Sequence, residues 1–555
     1  MPVLTYYYNG TILTMNAKAA QSPHMLVSAG KVVHCDESEA PLGLDFRAAD
    51  FAEVRQRRAG DVTFVDLKGN TVIPGICDAH AHFLMWANGL IHADLMYCKS
   101  EAECVDVVKK HYAGAEKGEW LKGRGWAHNL WDVTDLPSKE SLDAAFPDNP
   151  VVLSSKCGHL SWVNSAALKA AGVDDSVQDP FGGEFERKDG RLTGILKELA
   201  MDVVHEKIGE PSLKQRYEAL EKAQAYAHSL GITAMQTPED MDAWDFIQKA
   251  HGEGLLSMRV DFWIPVSVLD DLEALRVRHG LGDDRLRISA VKVFADGSLG
   301  GRTAQMYDDY ENEPGNKGII VTDEATMVAN TLQANRIGLS MAIHAIGDEA
   351  VGAVLTAYER AAEEFGTEGD TRTNPVLRNR IEHVQVFAEK DLPRFKKLKP
   401  ICSIQPIHLC ADMKPADAFW GKRARYAYAC RTLLDAGCLM PFGSDVPVEP
   451  NNPFLGIYAA ITRKSLTGQP DSGWYPEECI TLQEALEGYT IHCAIASGQQ
   501  DKLGSLEAGK YADFVVLPAN PFEISPEEIR DLKPLATYSE NVCVYSTGEW
   551  ENVIG

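Results

Sequence analysis

The chain has 555 residues, 45% of them hydrophobic and 24% charged, a balance that excludes a disordered or collagen-like chain. Its formal net charge of −26 repels phosphate backbones and anionic lipid, which argues against nucleic-acid and membrane-surface partners. No uncharged apolar run of about 18 residues occurs, and residues 1–8 lack the basic and apolar regions of a secretory signal, so a soluble cytoplasmic protein is expected.

In chain order, residues 1–70 alternate short β-rich runs with turns, for example at 11–14, 25–28 and 64–67. The polar stretch 36–61 reads as a long solvated loop. Residues 496–555 show the same β-rich character, with Ala512-Asp-Phe-Val-Val-Leu and a hairpin-like run from Val542 to Trp550. Both termini are therefore expected to build one composite β-sandwich, 1–70 with 496–555.

Between them, residues 71–495 repeat a rhythm of amphipathic helix, glycine and short apolar strand. Residues 212–230 open with Ser212 and Gln215 in capping-box spacing and end at Gly231, which suits a left-handed position after the helix. The pattern returns at 322–337 before Gly338 and at 423–436 before Gly437. Eight strand candidates emerge, near 72–79, 232–237, 258–265, 287–294, 339–345, 379–385, 401–406 and 438–443. Helices alternating with short strands predict an α/β fold, a (β/α)₈ TIM barrel. The long interval 95–210 predicts an inserted α+β lid with a hairpin at Asp189-Gly190.

The twelve cysteines form no CxxC pair, so any metal is sought among other side chains. Asp78-Ala-His80-Ala-His82 closes the first candidate strand, and residues i and i+2 of a strand face one way. The pair alone is weak evidence, because about half an HxH is expected by chance in a chain with this many histidines. His344, His383 and Asp445 fall at the ends of the fifth, sixth and eighth candidates. Parallel strands bring these ends to one rim, where imidazoles and a carboxylate suit Zn²⁺ or another divalent metal. Lys292, on the fourth strand among apolar residues, has two readings: a lysine paired with Asp296 or capping a helix, or a neutral amine that adds CO₂ to become a metal-bridging carbamate.

Six runs then carry a resemblance: Thr71-Val-Ile-Pro-Gly-Ile-Cys-Asp-Ala-His-Ala-His, Val291-Lys-Val-Phe-Ala-Asp-Gly-Ser-Leu-Gly-Gly-Arg-Thr-Ala, Ile343-His-Ala-Ile-Gly-Asp, Arg380-Ile-Glu-His-Val-Gln, Phe442-Gly-Ser-Asp-Val-Pro-Val-Glu-Pro and Gly504-Ser-Leu-Glu-Ala-Gly-Lys-Tyr-Ala-Asp-Phe-Val-Val-Leu. In order and spread they resemble the amidohydrolase superfamily, in the branch that includes N-substituted formamide deformylase. The resemblance implies His80 and His82 on one metal, His344 and His383 on another, a carboxylated Lys292 bridging, and Asp445 as both ligand and proton carrier. It implies one or two divalent ions, a small-molecule amide substrate and a possible homodimer.

His159 and Arg302 are candidate oxyanion donors, although His159 also reads as organising the insert and Arg302 as pairing with Asp308 or Asp309. Gln405 and His408 are candidates for facing the pocket. Trp126, with Trp131, reads as a pocket wall or as the insert's own core. The leading reading is hydrolysis of an amide or formamide C–N bond; deamination of a nitrogen heterocycle and a catalytically silent binding protein are the alternatives.

Overall fold

Three glycines end the helices outlined by the sequence pattern. Gly231, Gly338 and Gly437 take φ of +85°, +87° and +84°, a region open to glycine without steric cost, after helices Leu213–Ser229, Glu324–Arg336 and Cys430–Asp435. The first helix opens as expected: Gln215 N donates to Ser212 Oγ (3.3 Å) and Ser212 N to Gln215 Oε1 (2.9 Å). The third is shorter than its pattern, because Gly421–Tyr426 forms a separate 3₁₀ turn. The computed structural model describes residues 4–18, 20–36, 62–128, 131, 135–156, 160–180, 183–209 and 211–554. The expected loop 36–61 lies outside them but for Asp36.

The chain divides into two compact units, Met1–Phe83 with Gln224–Gly555, and Leu84–Ala223. In the first, seven strands form a continuous parallel sheet in sequence order: β1 (Ile76–Asp78), β2 (Ile232–Pro238), β3 (Arg259–Pro265), β4 (Leu286–Phe294), β5 (Ser340–Ala345), β6 (Arg380–His383) and β7 (Ile401–Ser403). Leu281–Gly282 adds a short antiparallel pairing to β4. The sheet curls. Residues 438–443 carry parallel bridges to the β7 side, Ile401 with Leu439 and Ile404 with Phe442. On the other side, Ala79 N donates to Phe442 O at 2.9 Å. The strands are almost wholly buried, as expected where both faces of a parallel sheet are covered.

The first strand candidate, 72–79, proves to be two strands. Thr71–Pro74 pairs with Thr11–Leu13 and Phe514–Leu517, and β1 joins the parallel sheet. The break falls at Gly75, where a Cβ would stand 2.4 Å from Thr233 Oγ1. The terminal strands form a four-stranded and a six-stranded sheet that share a core, Tyr7, Met25 and Val27 meeting Val72, Phe514 and Tyr538. Val542–Ser546 is the second arm of a hairpin whose first arm is Ala536–Ser539, and Trp550 lies on a closing helix, Gly548–Ile554, rather than in the hairpin.

The second unit holds a six-stranded sheet in the order Gly183–Lys188, Arg191–Glu198, Leu160–Val163, Val151–Ser155, Leu121–Trp126, Ala93–Asp94. Its first two strands turn on Asp189 and Gly190, with φ of +53° and +79°. Among the described residues, no helix is long and apolar enough to cross a membrane.

Polar side chains enter the parallel sheet at several points. Asp261 on β3 accepts from Ser289 Oγ at 2.8 Å, while its Oδ1 has no partner. Burial pushes its carboxyl up to about 6 against the opposing pull of Arg287 and Ser289. Folded Asp261 therefore keeps its proton between about pH 4 and pH 6, where the unfolded chain has lost it, and stability falls as pH rises through that window. Asp261→Asn is expected to remove up to about 3 kcal/mol of this pH dependence, measured as a flatter plot of urea midpoint against pH.

Candidate active site

β1 stops at Asp78, and the chain beyond it carries His80 and His82 off the strand. Both still reach one point: their rings lie 5.9 Å apart, and Asp445 Oδ1 stands 3.7 Å from His80 Nε2 and 3.3 Å from His82 Nε2. The ligand-type atoms of this triad lie within 4.8 Å of one another.

Asp445 is brought there by backbone stitching. Its N–H donates to His80 O at 2.7 Å. The buried carboxylate of Asp78 accepts from His80 N (3.2 Å), Ser444 N (3.0 Å) and Ser444 Oγ. The approach requires glycine at 443, where a Cβ would lie 2.5 Å from His80 N. Asp445 itself adopts φ +58°, a costly region for a non-glycine residue that recurs at functional sites.

A second break of regularity serves β6. Strand alternation would send Glu382 and His383 to opposite faces. His383 and Val384 instead have φ of +74° and +43°, and both Glu382 and His383 join the cluster. Glu382 Oε2 lies 2.6 Å from His80 Nδ1, and the His383 ring is 4.9 Å from that of His80 and 4.5 Å from that of His344. His383 Nδ1 meets Gln405 Oε1 at 2.7 Å, so Gln405 orients an imidazole. His344 Nε2 is 2.9 Å from Gly297 O and 3.5 Å from Asp296 Oδ1, which leaves its Nδ1 for other work.

Lys292 is buried, its Nζ 4.7 Å from the Phe294 ring centroid and without a hydrogen-bond partner. The alternative pairing with Asp296 is not formed; three backbone N–H groups, from Gln305, Ile346 and Gly347, hold that carboxylate. Burial pushes Lys292 down to about 8, partly offset by Glu382 and Asp445. Burial, reinforced by Lys292, lowers His80 to about 4 and His344 to about 3, and burial with the neighbouring histidines holds His383 well below the usual imidazole range. These imidazoles are neutral near pH 7. Burial opposes the charge on Asp445, but His82 and the surrounding histidines hold it well below the usual carboxylate range.

Neutral imidazoles beside an ionised carboxylate form a cation site of the type divalent metals occupy. The fit is seen in three buried atoms without hydrogen-bond partners: His80 Nε2, Asp445 Oδ1 and Lys292 Nζ.

The remaining sequence candidates are placed differently. His408 joins the rim, its Nε2 3.2 Å from Ser444 O and 4.0 Å from Asp445 Oδ2. Arg302 is engaged by Glu313, not by Asp308 or Asp309, and its Cζ lies 5.0 Å from the Phe419 ring centroid. Trp126 is fully buried in the second unit, donating to Leu153 O at 2.7 Å among Trp131 and Trp162. It is core, not a pocket wall, because its one polar atom is satisfied inside that unit. His159 lies outside the described residues. Sequence reading overlooked Arg380, Glu382 and Gln236; the available signal was two opposite charges, two residues apart, on the short strand that carries His383.

The profile described as "Amidohydrolase family" matches residues 63–545. The chain belongs to the amidohydrolase family. This amidohydrolase is 32% identical to Protein LONG AFTER FAR-RED 3 of Arabidopsis thaliana, over 97% of this chain and 94% of that one. It is 27% identical to N-substituted formamide deformylase of Arthrobacter pascens, over 97% of each. A solved structure of an uncharacterized metal-dependent hydrolase from Pyrococcus furiosus superposes with a TM-score of 0.74 at 29% identity, covering 93% of this chain and 99% of that one. In the present amidohydrolase, Gly443→Ala is expected to push Asp445 away from His80 and weaken the binding of a divalent metal about tenfold or more. A competition titration against a chromophoric chelator measures this, and unchanged affinity would show that the 443–445 stitching does not set the site.

Proposed function

We propose that this chain is a metal-dependent hydrolase that cleaves the C–N bond of a small amide or N-substituted formamide. The observation that carries the reading is the gathering of His80 and His82 around Asp445 Oδ1, with His80 Nε2 and the buried Lys292 Nζ without hydrogen-bond partners. The architecture assigned with it is a (β/α)₈ barrel closed by 438–443, flanked by a β-sandwich from both termini.

His80, His82 and Asp445 would hold one divalent ion, zinc being the metal suited to this donor set, and His344 and His383 a second, with Lys292 between them. When bound, such an ion supplies Lewis acidity, polarising a carbonyl and making water reactive near neutral pH. Lys292, lowered to about 8 by burial, has an appreciable neutral-amine fraction near pH 7. Its nitrogen can add CO₂ with loss of one proton, giving an anionic carbamate. That favours amide hydrolysis over deamination, since the single-metal deaminase arrangement needs no bridging group on β4.

Asp445 performs the proton work. Its carboxylate is ionised before reaction and accepts the proton of the attacking water. The new C–O bond forms at the carbonyl carbon, the C–N bond breaks, and Asp445 returns the proton to the departing nitrogen, which leaves as an amine. His408, 4.0 Å from Asp445 Oδ2, flanks the carboxylate during both transfers.

The reading is tested with zinc-loaded protein and a panel of N-substituted formamides and amides, following carboxylic acid and amine. Release of ammonia from a heterocycle, without an acid product, would mark deamination instead. Asp445→Asn is expected to lower turnover by at least about 100-fold even at saturating metal; full activity would remove its assigned role. Lys292→Ala is expected to lose metal and activity, with partial rescue by short carboxylic acids. Metal retained at wild-type stoichiometry in that variant would exclude the bridge.

A further inference from the structure

Behind His80 lies a closed polar network. Glu382 is fully buried, and its Oε2 faces His80 Nδ1 at 2.6 Å. Arg380, two residues earlier and on the same strand face, is also buried. Its Nε donates to Glu382 Oε1, its Nη1 to Gln236 Oε1, and its Nη2 to Ala79 O at 2.9 Å and Glu382 Oε2 at 3.3 Å. The guanidinium carbon lies 4.4 Å from the Trp263 ring centroid. The same indole meets His80 edge-on, ring centroids 5.5 Å apart. Residues from β2, β3 and β6 thus converge on the backbone before His80 and on its ring.

We propose that Arg380, Glu382 and Trp263 form a positioning unit that fixes His80 with Nδ1 protonated and its Nε2 lone pair turned toward Asp445 and His82. This rests on the reading of the cluster as a metal centre. The chemistry permits one arrangement. A carboxylate at 2.6 Å accepts the Nδ1 proton, so the neutral ring must offer Nε2 as acceptor, the atom left without a hydrogen bond. Arg380 balances Glu382 by a two-pronged contact and so keeps it an acceptor. Arg380 also grips Ala79 O, so both the ring and the chain leading to it are held. Stability alone does not call for such a pair, because apolar side chains of similar volume usually replace buried ion pairs at little or no cost. Carboxylate partners of ligating histidines orient the ring and raise its basicity, and their loss typically weakens metal binding 10–100-fold.

The experiment pairs zinc titration of apoprotein with NMR of the full chain labelled with ¹⁵N-histidine. In the wild-type apoprotein we expect a strongly downfield, slowly exchanging imidazole proton on an Nδ1 nitrogen, lost in His80→Gln. Glu382→Gln, with wild-type circular dichroism, is expected to lose that proton and bind zinc about 10–100-fold more weakly. Glu382→Asp should recover part of the affinity. A folded Glu382→Gln that binds zinc as tightly as wild type, merely melting earlier, would reduce the network to a structural role and overturn the proposal. If that variant does not fold, the wild-type spectrum decides: the His80 Nδ1 proton upholds the proposal and its absence overturns it. Failure of wild-type protein to bind zinc would instead overturn the metal-centre reading, while the same proton still reports whether Glu382 sets the ring.

Discussion

Everything at the site depends on how closely residues 443–445 lie against the end of β1. One carboxylate, Asp78, receives backbone and side-chain donors from Ser444 and a backbone donor from His80, so the two segments are joined at a fixed offset. The absence of a side chain at Gly443 permits the contact, and the Asp445 N–H to His80 O bond completes it. A ligand from residue 445 and ligands from residues 80 and 82 can then meet, although more than 360 positions separate them in the sequence. Burial pushes Asp78 up to about 7 despite those donors, a measure of how dry the joint is.

The cluster is assembled against local preference. Asp445, His383 and Val384 hold positive φ, and His80 Nε2, Asp445 Oδ1 and Lys292 Nζ are among the buried polar atoms without a hydrogen-bond partner. Each such atom costs on the order of 1–3 kcal/mol. A scaffold bears this only when many well-satisfied contacts surround it, and the neighbouring shell supplies them: Glu382 for His80, Gln405 for His383, Gly297 O for His344. The electrostatics run the same way. Burial and the nearby ammonium keep the His80 and His344 imidazoles neutral, while hydrogen bonding from His82 keeps Asp445 charged. The result is a buried set of lone pairs around the Asp445 carboxylate, with Glu382 behind His80 balanced by Arg380.

Much of this was readable in the chain. The helix–glycine–strand rhythm outlined the parallel sheet because burial on both faces and the left-handed turn after each helix leave local marks in sequence. The ligand-type residues stood out at strand ends for the same reason. What did not show were partnerships between distant segments. Gly75 splits one apparent strand in two because Thr233 approaches it. Trp126 belongs to a core of its own because Leu153 O and two other indoles surround it. Arg302 turns to Glu313 rather than to the nearer acids in sequence.

Sequence by itself marked the helix–strand rhythm and singled out His80, His82, His344, His383 and Asp445 as side chains of metal-ligand type, since periodicity, capping and donor type are properties of short stretches. Tertiary structure decided which lone pairs are free. His80 reads as a ligand in either form, but the buried Glu382 behind it determines which nitrogen faces forward. His383 joins the site only because its backbone departs from strand geometry. Both depend on contacts across the sheet, whose energy no local pattern encodes.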